Sequence, residues 1–337
     1  MKNLKKNSII LIIITILVLF FVLKDNFNGI VGLLAGANIL WLLVALLAEF
    51  LFIFLEALAF YQLILSYGEK YSLFKSFKLL VITKFFNGIT PFASGGQPMQ
   101  VYLMKKDGIR MSKSINIIIQ NFIIYQLALV TLGIFALVCN NLFNIFPDIP
   151  ILRRLVAIGF LVNTLVMVVS FIVSFSKGFN KFIIDNFIKI ASKLRIVKDE
   201  EKYRNKWEER CNEFHQGAEF IKSHKWLCFK CYVYNLIALT AFYVIPLFVI
   251  IAMDKGNVPT FLDTVVASSY VMIIGAFVPI PGGTGGIEYG FSQFFGNLIP
   301  GNGTILNASL LMWRFITYYI PMIIGAILLN LRKEVKE

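Results

Sequence analysis

Long apolar runs alternate with short polar segments along the whole chain. Five runs, at about 30–65, 115–139, 154–176, 226–252 and 305–330, have the length needed to cross a bilayer as helices. A shorter run at 9–23 follows three lysines and lacks a small-residue cleavage site, so we expect it to be a retained first helix. Two further stretches, at 76–104 and 261–299, are broken by Pro and Gly. The pattern predicts an all-α integral membrane protein with about six transmembrane helices.

Composition agrees with this class. Hydrophobic residues make up 58% of the 337 residues and charged residues only 15%, a balance that excludes an ordinary soluble domain. The net charge of +13 is carried by basic residues between the apolar runs. We therefore expect contact with an anionic membrane surface rather than with nucleic acid.

The positions of Lys and Arg predict which loops share a side of the membrane. With six crossings and two one-sided hairpins, 26 of the 32 basic residues fall on or beside one face, which the positive-inside rule assigns to the cytoplasm. Both termini lie on that side, so we expect a multi-pass protein of the cell membrane with cytoplasmic termini. The other face has only Lys24, Arg153, Arg154 and Lys255.

The two broken stretches are predicted to be re-entrant helical hairpins. Basic residues flank 76–104 on both sides, whereas the flanks of 261–299 contain almost none. The first hairpin is therefore expected to enter the membrane from the cytoplasm and the second from outside. The alternative is that both are ordinary crossing helices, kinked by Pro and closely packed through Gly.

One motif, a Pro followed by three residues and Gly-Gly, lies in the middle of both stretches. Similar broken elements that enter from opposite faces indicate an inverted-topology repeat, with a substrate site where they meet. Helix N-termini at such breaks offer partial positive charge suited to a phosphate. The candidate substrate-binding residues in and beside the two motifs are Pro91, Gly95, Gly96, Gln97, Pro281, Gly282, Gly283, Gly285 and Gly286.

Five ionisable residues are predicted to lie at membrane depth, where charges are costly and often functional. One interpretation is a polar cavity in which Arg314 and Lys84 contact a phosphate and the carboxylates contact a cationic headgroup. The other is structural pairing between helices, with Lys84 extending towards the interface. The five candidates are Glu49, Glu56, Lys84, Glu288 and Arg314.

We expect one polytopic membrane domain over 1–337, with halves at 1–176 and 226–331 joined by a cytoplasmic connector at 177–225. The connector has the pattern of a basic amphipathic helix, which suits an anionic leaflet or packing on neighbouring helices. Two Cys-x-x-x-His-type pairs, Cys211 with His215 and His224 with Cys228, have ligand-like spacing. Because Cys228 and Cys231 enter an apolar run, we predict no metal site and no cofactor.

The residues 87–102, the segment 279–288 and Arg314 resemble one known family, the lysylphosphatidylglycerol synthase/flippase transmembrane family. This is the membrane region of the multiple peptide resistance factor. The resemblance extends from about residue 8 to 330, and its most specific part is Pro281-Gly-Gly-x-Gly285 followed by Glu288. Thr284 departs from the larger apolar residue common at that position.

The resemblance implies that the protein binds and translocates an anionic or aminoacylated phospholipid, such as phosphatidylglycerol or its lysyl ester. One alternative is a phosphatidylglycerol lysyltransferase, which takes lysine from charged tRNA and gives resistance to cationic peptides. Another is a membrane subunit of a polyprenyl-linked glycan pathway. Neither the connector nor the short segment after the last helix has the length of an aminoacyltransferase domain. We therefore see no domain for transfer from tRNA and assign no catalytic residues, and we expect a separate synthase or a second copy of the chain as a partner.

Overall fold

A computed structural model describes residues 27–147, 149–175, 219–220, 223–253, 256, 258–276 and 278–332. These residues form helices and connecting loops, and no strand occurs among them. The predicted helix at 9–23 and nearly all of the connector at 177–225 lie outside the described residues. The eleven α-helices of the described part are α1 (Phe27–Gly36), α2 (Ile39–Ser66), α3 (Leu73–Gly88), α4 (Gly96–Lys106), α5 (Met111–Phe143), α6 (Pro150–Phe175), α7 (Lys225–Met253), α8 (Phe261–Gly275), α9 (Gly286–Leu298), α10 (Gly303–Arg314) and α11 (Ile320–Asn330).

The predicted all-α membrane fold is confirmed. Five helical segments are long and apolar enough to cross a membrane: α2, α5, most of α6, α7, and α10 with α11. They match the predicted runs, with one correction at 30–65. There the chain forms two helices because the Asn38 side chain accepts a hydrogen bond from the Leu40 N–H (3.0 Å) and so caps α2 at its N-terminus.

Helices α2 and α7 form the antiparallel centre of the bundle. The Asn38 N–H donates to the Ala252 carbonyl (2.9 Å) at one end, and further along the Cys231 thiol approaches the Ala59 carbonyl at 3.5 Å. The pair therefore defines two opposite ends of the molecule. We call them the Asn38 end and the Tyr67 end, since Tyr67 immediately follows α2.

The first broken stretch is a hairpin whose base lies at the Tyr67 end. The Tyr71 hydroxyl, just before α3, donates to the Asp107 carboxylate, just after α4, at 2.7 Å. Burial raises the pKa of Tyr71 far above its ordinary value, which favours the protonated form that donates this bond. Asp107 also accepts a hydrogen bond from Arg332, which ties the end of the last helix to the same base.

The second broken stretch, α8 and α9, is a hairpin whose base lies at the Asn38 end. A Cβ at Gly290 would lie 3.4 Å from the Val271 Cα, and one at Gly275 would lie 2.5 Å from the Ile287 side chain. These contacts pair later residues of α9 with earlier residues of α8, as an antiparallel hairpin requires. Because α8 follows α7 at its Ala252 end, the two hairpins enter the bundle from opposite ends.

The second half of the molecule repeats the element order of the first. Each half contains a spanning helix, a hairpin and another spanning helix. Lys225 at the start of α7 lies 186 residues after Ile39 at the start of α2, and Gly303 lies 192 residues after Met111. Because α2 and α7 are antiparallel, the two units are inverted relative to each other. The predicted inverted repeat is therefore present in the fold.

Candidate functional site

The two hairpin tips meet at a junction that is exposed at Pro91–Ser94 and buried at Pro281 and Thr284. Each tip is a short 3₁₀ turn, Pro91–Ala93 in the first and Pro281–Gly283 in the second, and the two turns contact each other. Tyr318, which lies between α10 and α11, joins them. Its hydroxyl donates to the Gly88 carbonyl (2.9 Å), and its ring lies so close to Gly282 that a Cβ there would be 2.5 Å from the ring.

The second tip contains a buried ion pair. The Arg314 Nε donates to the Glu288 Oε1 at 2.7 Å, and its Nη2 donates to the Gly282 carbonyl at 3.0 Å. The other carboxylate oxygen of Glu288 accepts the Gly285 N–H at 2.6 Å, which caps α9. The two charged side chains are only 8% and 12% exposed. Arg314 also lies over the Tyr318 ring, 4.6 Å from its centre.

The first tip is held by neutral side chains. The Asn87 Oδ1 accepts the Gly96 N–H at 2.9 Å, and the Thr90 Oγ1 accepts the Gly95 N–H at the same distance. The predicted partial positive charge at the α4 N-terminus is thus already satisfied in part by these two caps. Phe92 and Ala93 have left-handed backbone angles, with φ of 53° and 51°.

A second charged group lies near the middle of α2. The Lys84 ammonium donates to the Glu56 carboxylate at 2.6 Å and lies 4.1 Å from the centre of the Phe52 ring. Glu49 lies two helical turns before Glu56, is 4% exposed, and its Oε2 has no hydrogen-bond partner among the described residues.

The last crossing helix widens next to Arg314. Residues Phe315–Tyr319 form a π-helical turn between α10 and α11. Pro321 is the second residue of α11 and has no N–H to donate to the preceding turn, which gives a physical reason for the altered hydrogen-bond register. Such turns are frequent at functional sites. This one places Tyr318 between the two tips.

The structure brings the predicted site residues into two groups. The first is the tip junction, and the second is the cluster of Glu49, Glu56 and Lys84. Gln97 belongs to the first tip and is exposed, with no described contact to either ion pair. The tip junction consists of Pro91, Gly95 and Gly96 with Pro281, Gly282, Gly283, Gly285, Gly286, Glu288 and Arg314.

Sequence reasoning missed Tyr318, Asn87 and Thr90. Tyr318 lies in an apolar run and looks like an ordinary core aromatic residue, so no sequence signal distinguished it. Asn87 and Thr90 directly precede the Pro-x-x-x-Gly-Gly motif, and their polarity in an apolar stretch was the available signal. Among the described residues, no three His, Cys, Asp or Glu side chains lie close enough together to hold a metal ion.

Comparison with known proteins identifies the family of the chain. Residues 8–325 match the family described as the lysylphosphatidylglycerol synthase TM region. The chain belongs to this family. A UPF0104 membrane protein of Archaeoglobus fulgidus is 26% identical to it over 299 residues, which is 87% of each chain. As a member of the lysylphosphatidylglycerol synthase TM family, the chain is a membrane protein, in agreement with its five spanning segments.

Proposed function

We propose that the protein binds an anionic or aminoacylated phospholipid at the junction of its hairpin tips and moves it between the leaflets of the cell membrane. The observation that carries this proposal is the buried Arg314–Glu288 pair at that junction. Charged groups inside a membrane protein are costly, and they characteristically line substrate or ion pathways. If the pair served only helix packing, apolar side chains of similar volume could replace it.

Arg314 has the chemistry to bind a lipid phosphate. A guanidinium has five N–H donors in a planar fork that matches two phosphate oxygens. Its described hydrogen bonds join Nε to Glu288 and Nη2 to Gly282. Lys84 supplies a second cation whose side chain is 25% exposed. Glu288 neutralises Arg314 and Glu56 neutralises Lys84, so a lipid phosphate would compete with these carboxylates for the two cations.

Part of the tip junction is open to its surroundings. Phe92, Gln97 and Gly285 are exposed, and Tyr289 is 43% exposed. Polar side chains and unpaired backbone at membrane depth are tolerated only against protein or a water-filled cavity. A polar headgroup needs such a path to cross the bilayer. Opposed hairpins give the path two possible entrances, one from each end of the bundle.

The carboxylates favour an aminoacylated headgroup as one substrate. Glu49, Glu56 and Glu288 lie in the two charged groups of the site, and a lysyl ester carries the complementary positive charge. The family description, with its reference to lysylphosphatidylglycerol, supports the same class of lipid. We expect the termini to be cytoplasmic, which would place the base of the first hairpin at the cytoplasmic face.

The test is transfer of fluorescent phosphatidylglycerol, and of its lysyl ester, between the leaflets of vesicles that contain the purified protein. Arg314→Gln should abolish transfer, and Lys113→Gln, which removes an ion pair at the Tyr67 end, should leave it unchanged. A variant that exchanges Glu288 and Arg314, still inserts and folds, and remains inactive would support the proposal. Full transfer by this exchanged variant would contradict it, since the pair would then serve only packing.

The family description also supports a second candidate function, synthesis of lysylphosphatidylglycerol with resistance to cationic peptides. Expression of the chain in a host that lacks its own lysyl-lipid synthase tests this alternative. Appearance of the lysyl lipid in that host would establish the synthetic activity. Transfer in vesicles without any such synthesis would leave translocation as the function.

A further inference from the structure

A cleft of about 910 Å³ lies away from the hairpin tips, between α5, α6 and the second hairpin. It is bounded by the last turns of α5, the following loop, one face of α6 and the aromatic side chains Tyr270 and Phe294. Its volume is within the range of sites that enclose a small molecule or part of a lipid. None of the residues in the candidate site described above lines it.

The chemistry of the cleft changes along its length. At the Asn38 end, where α5 ends and α6 begins, it is lined by amide side chains and one guanidinium. The remainder is lined mainly by aliphatic and aromatic side chains, such as Leu137, Val156 and Phe160. A site that is polar at one end and apolar along the rest fits an amphipathic ligand. The polar residues that line this end are Asn140, Asn141, Asn144, Arg153 and Asn297, and Thr164 adds one hydroxyl further along α6.

The dimensions fit one phospholipid. The α6 residues that line the cleft extend from Leu152 to Val168, which at about 1.5 Å per residue is roughly 24 Å. One leaflet, with its headgroup region, is about 20–22 Å thick. Leu161 and Leu165 at the rim are 65% and 57% exposed, so the apolar part opens towards the space that acyl chains occupy in a membrane.

We infer that this cleft binds a phospholipid, with its acyl chain along α6 and its phosphate at the asparagine and arginine end. Asn amide groups and the Arg153 guanidinium are hydrogen-bond donors for phosphate oxygens. Because the polar end lies at the Asn38 end, the lipid belongs to the leaflet from which the second hairpin enters. The identity of the lipid rests on the proposed function, whereas the position of the cleft does not.

Photocrosslinking tests the inference in vesicles that contain the full chain. The probe is phosphatidylglycerol with a photoactivatable acyl chain, and the sites of attachment are located by mass spectrometry. We expect attachment to α6 at 152–168, and Ala157→Trp, which fills the cleft from an exposed position that lines it, should abolish this attachment. The matched control is Ile158→Trp, because Ile158 is 52% exposed and outside the lining.

A photoactivatable diacylglycerol, which lacks the phosphate, tests the polar end. We expect it to attach at least about fivefold less, a factor typical of one basic residue at an anionic membrane surface. Equal attachment of both probes, or equal attachment in the two Trp variants, would overturn the inference. Attachment that persists in Arg314→Gln while leaflet transfer is lost supports both proposals. If the wild-type chain is labelled in the cleft but transfers no lipid, the inferred cleft site stands and the proposed function is refuted.

Discussion

The two hairpin tips share one backbone motif but stabilise it with different chemistry. Both begin a 3₁₀ turn at Pro and start the next helix at the second Gly of the motif. In the first tip the left-handed positions are Phe92 and Ala93, and the caps are neutral. In the second tip the left-handed residues are Gly282, Gly283 and Gly285, and the cap is the charged Glu288.

The difference follows from what surrounds each tip. Pro91–Ser94 are exposed, so a side chain on a left-handed residue has space and only the backbone strain remains. At the second tip Pro281 and Thr284 are buried and the Tyr318 ring lies against Gly282, which leaves no room for a Cβ. The two tips thus share one backbone fold, but the second tip is more buried and contains the ion pair and the left-handed glycines. We expect substrate recognition to depend on the second tip more than on the first.

The largest effect should come from the ion pair of the second tip. Arg314→Gln or Glu288→Gln alone leaves a buried charge without its partner, so each should lower the free energy of unfolding by about 3–5 kcal/mol. The double variant should lose less than the sum of the two. Unfolding in detergent micelles measures this. Lys113→Gln is the control, because its pair with Glu69 is more exposed and should be worth about 1 kcal/mol or less.

The next largest effect should come from glycine in the second tip. Gly282→Ala combines left-handed strain with a clash against Tyr318 and should cost about 2–4 kcal/mol. Gly285 also has a positive φ, of 90°, but a Cβ there would meet open space, so Gly285→Ala should cost only about 1–2 kcal/mol. Gly36→Ala, with neither constraint, should be neutral or slightly stabilising. Equal losses at Gly282 and Gly285 would show that Tyr318 does not press on the tip.

A smaller effect is expected at the cap of the first tip. Asn87→Ala leaves the Gly96 N–H without its described partner and should cost about 1 kcal/mol. Asn302→Ala is a suitable control, because Asn302 precedes α10 without a side-chain capping bond. If Asn87→Ala destabilised the protein as much as Glu288→Gln, the contrast between a neutral and a charged tip would be wrong.

The smallest effect is expected at Ala93, where the substitution should increase stability. Glycine adopts its φ of 51° without a Cβ penalty, so Ala93→Gly should raise the free energy of unfolding by up to about 1 kcal/mol. The same exchange inside a helix, Ala57→Gly, should lower it by about 1 kcal/mol. A loss at both positions would show that the left-handed angle at Ala93 is not strained.

Hydropathy and the spacing of Pro and Gly predicted the spanning helices and the two broken stretches, and the basic residues that flank these stretches predicted the inverted repeat. These features depend on local sequence, since bilayer thickness sets helix length and Pro and Gly break helices. The re-entrant ranges and the site residues remain predictions. The break between α1 and α2 was missed because Asn38 lies within an otherwise continuous apolar run. Its capping bond is visible only in the structure.

Tertiary pairing could not be predicted from the sequence. Arg314 pairs with Glu288, and Lys84 pairs with Glu56. These partners are 26 and 28 residues apart, so the pairing depends on how the hairpins fold back. The position of Tyr318 depends on a π-helical turn, and Pro321 permits such a turn without specifying it. The cleft beside α6 arises from the packing of three elements and is likewise invisible in a linear pattern.

Side-specific labelling of single cysteines in a cysteine-free background tests the opposed hairpins most directly. Ser72→Cys and Ser112→Cys lie on either side of the first hairpin, and Thr260→Cys and Asn302→Cys lie on either side of the second. We expect an impermeant reagent to label the first two positions from one face of the membrane and the last two from the opposite face. Labelling of Ser72→Cys and Ser112→Cys from opposite faces would contradict the fold-based account of the site.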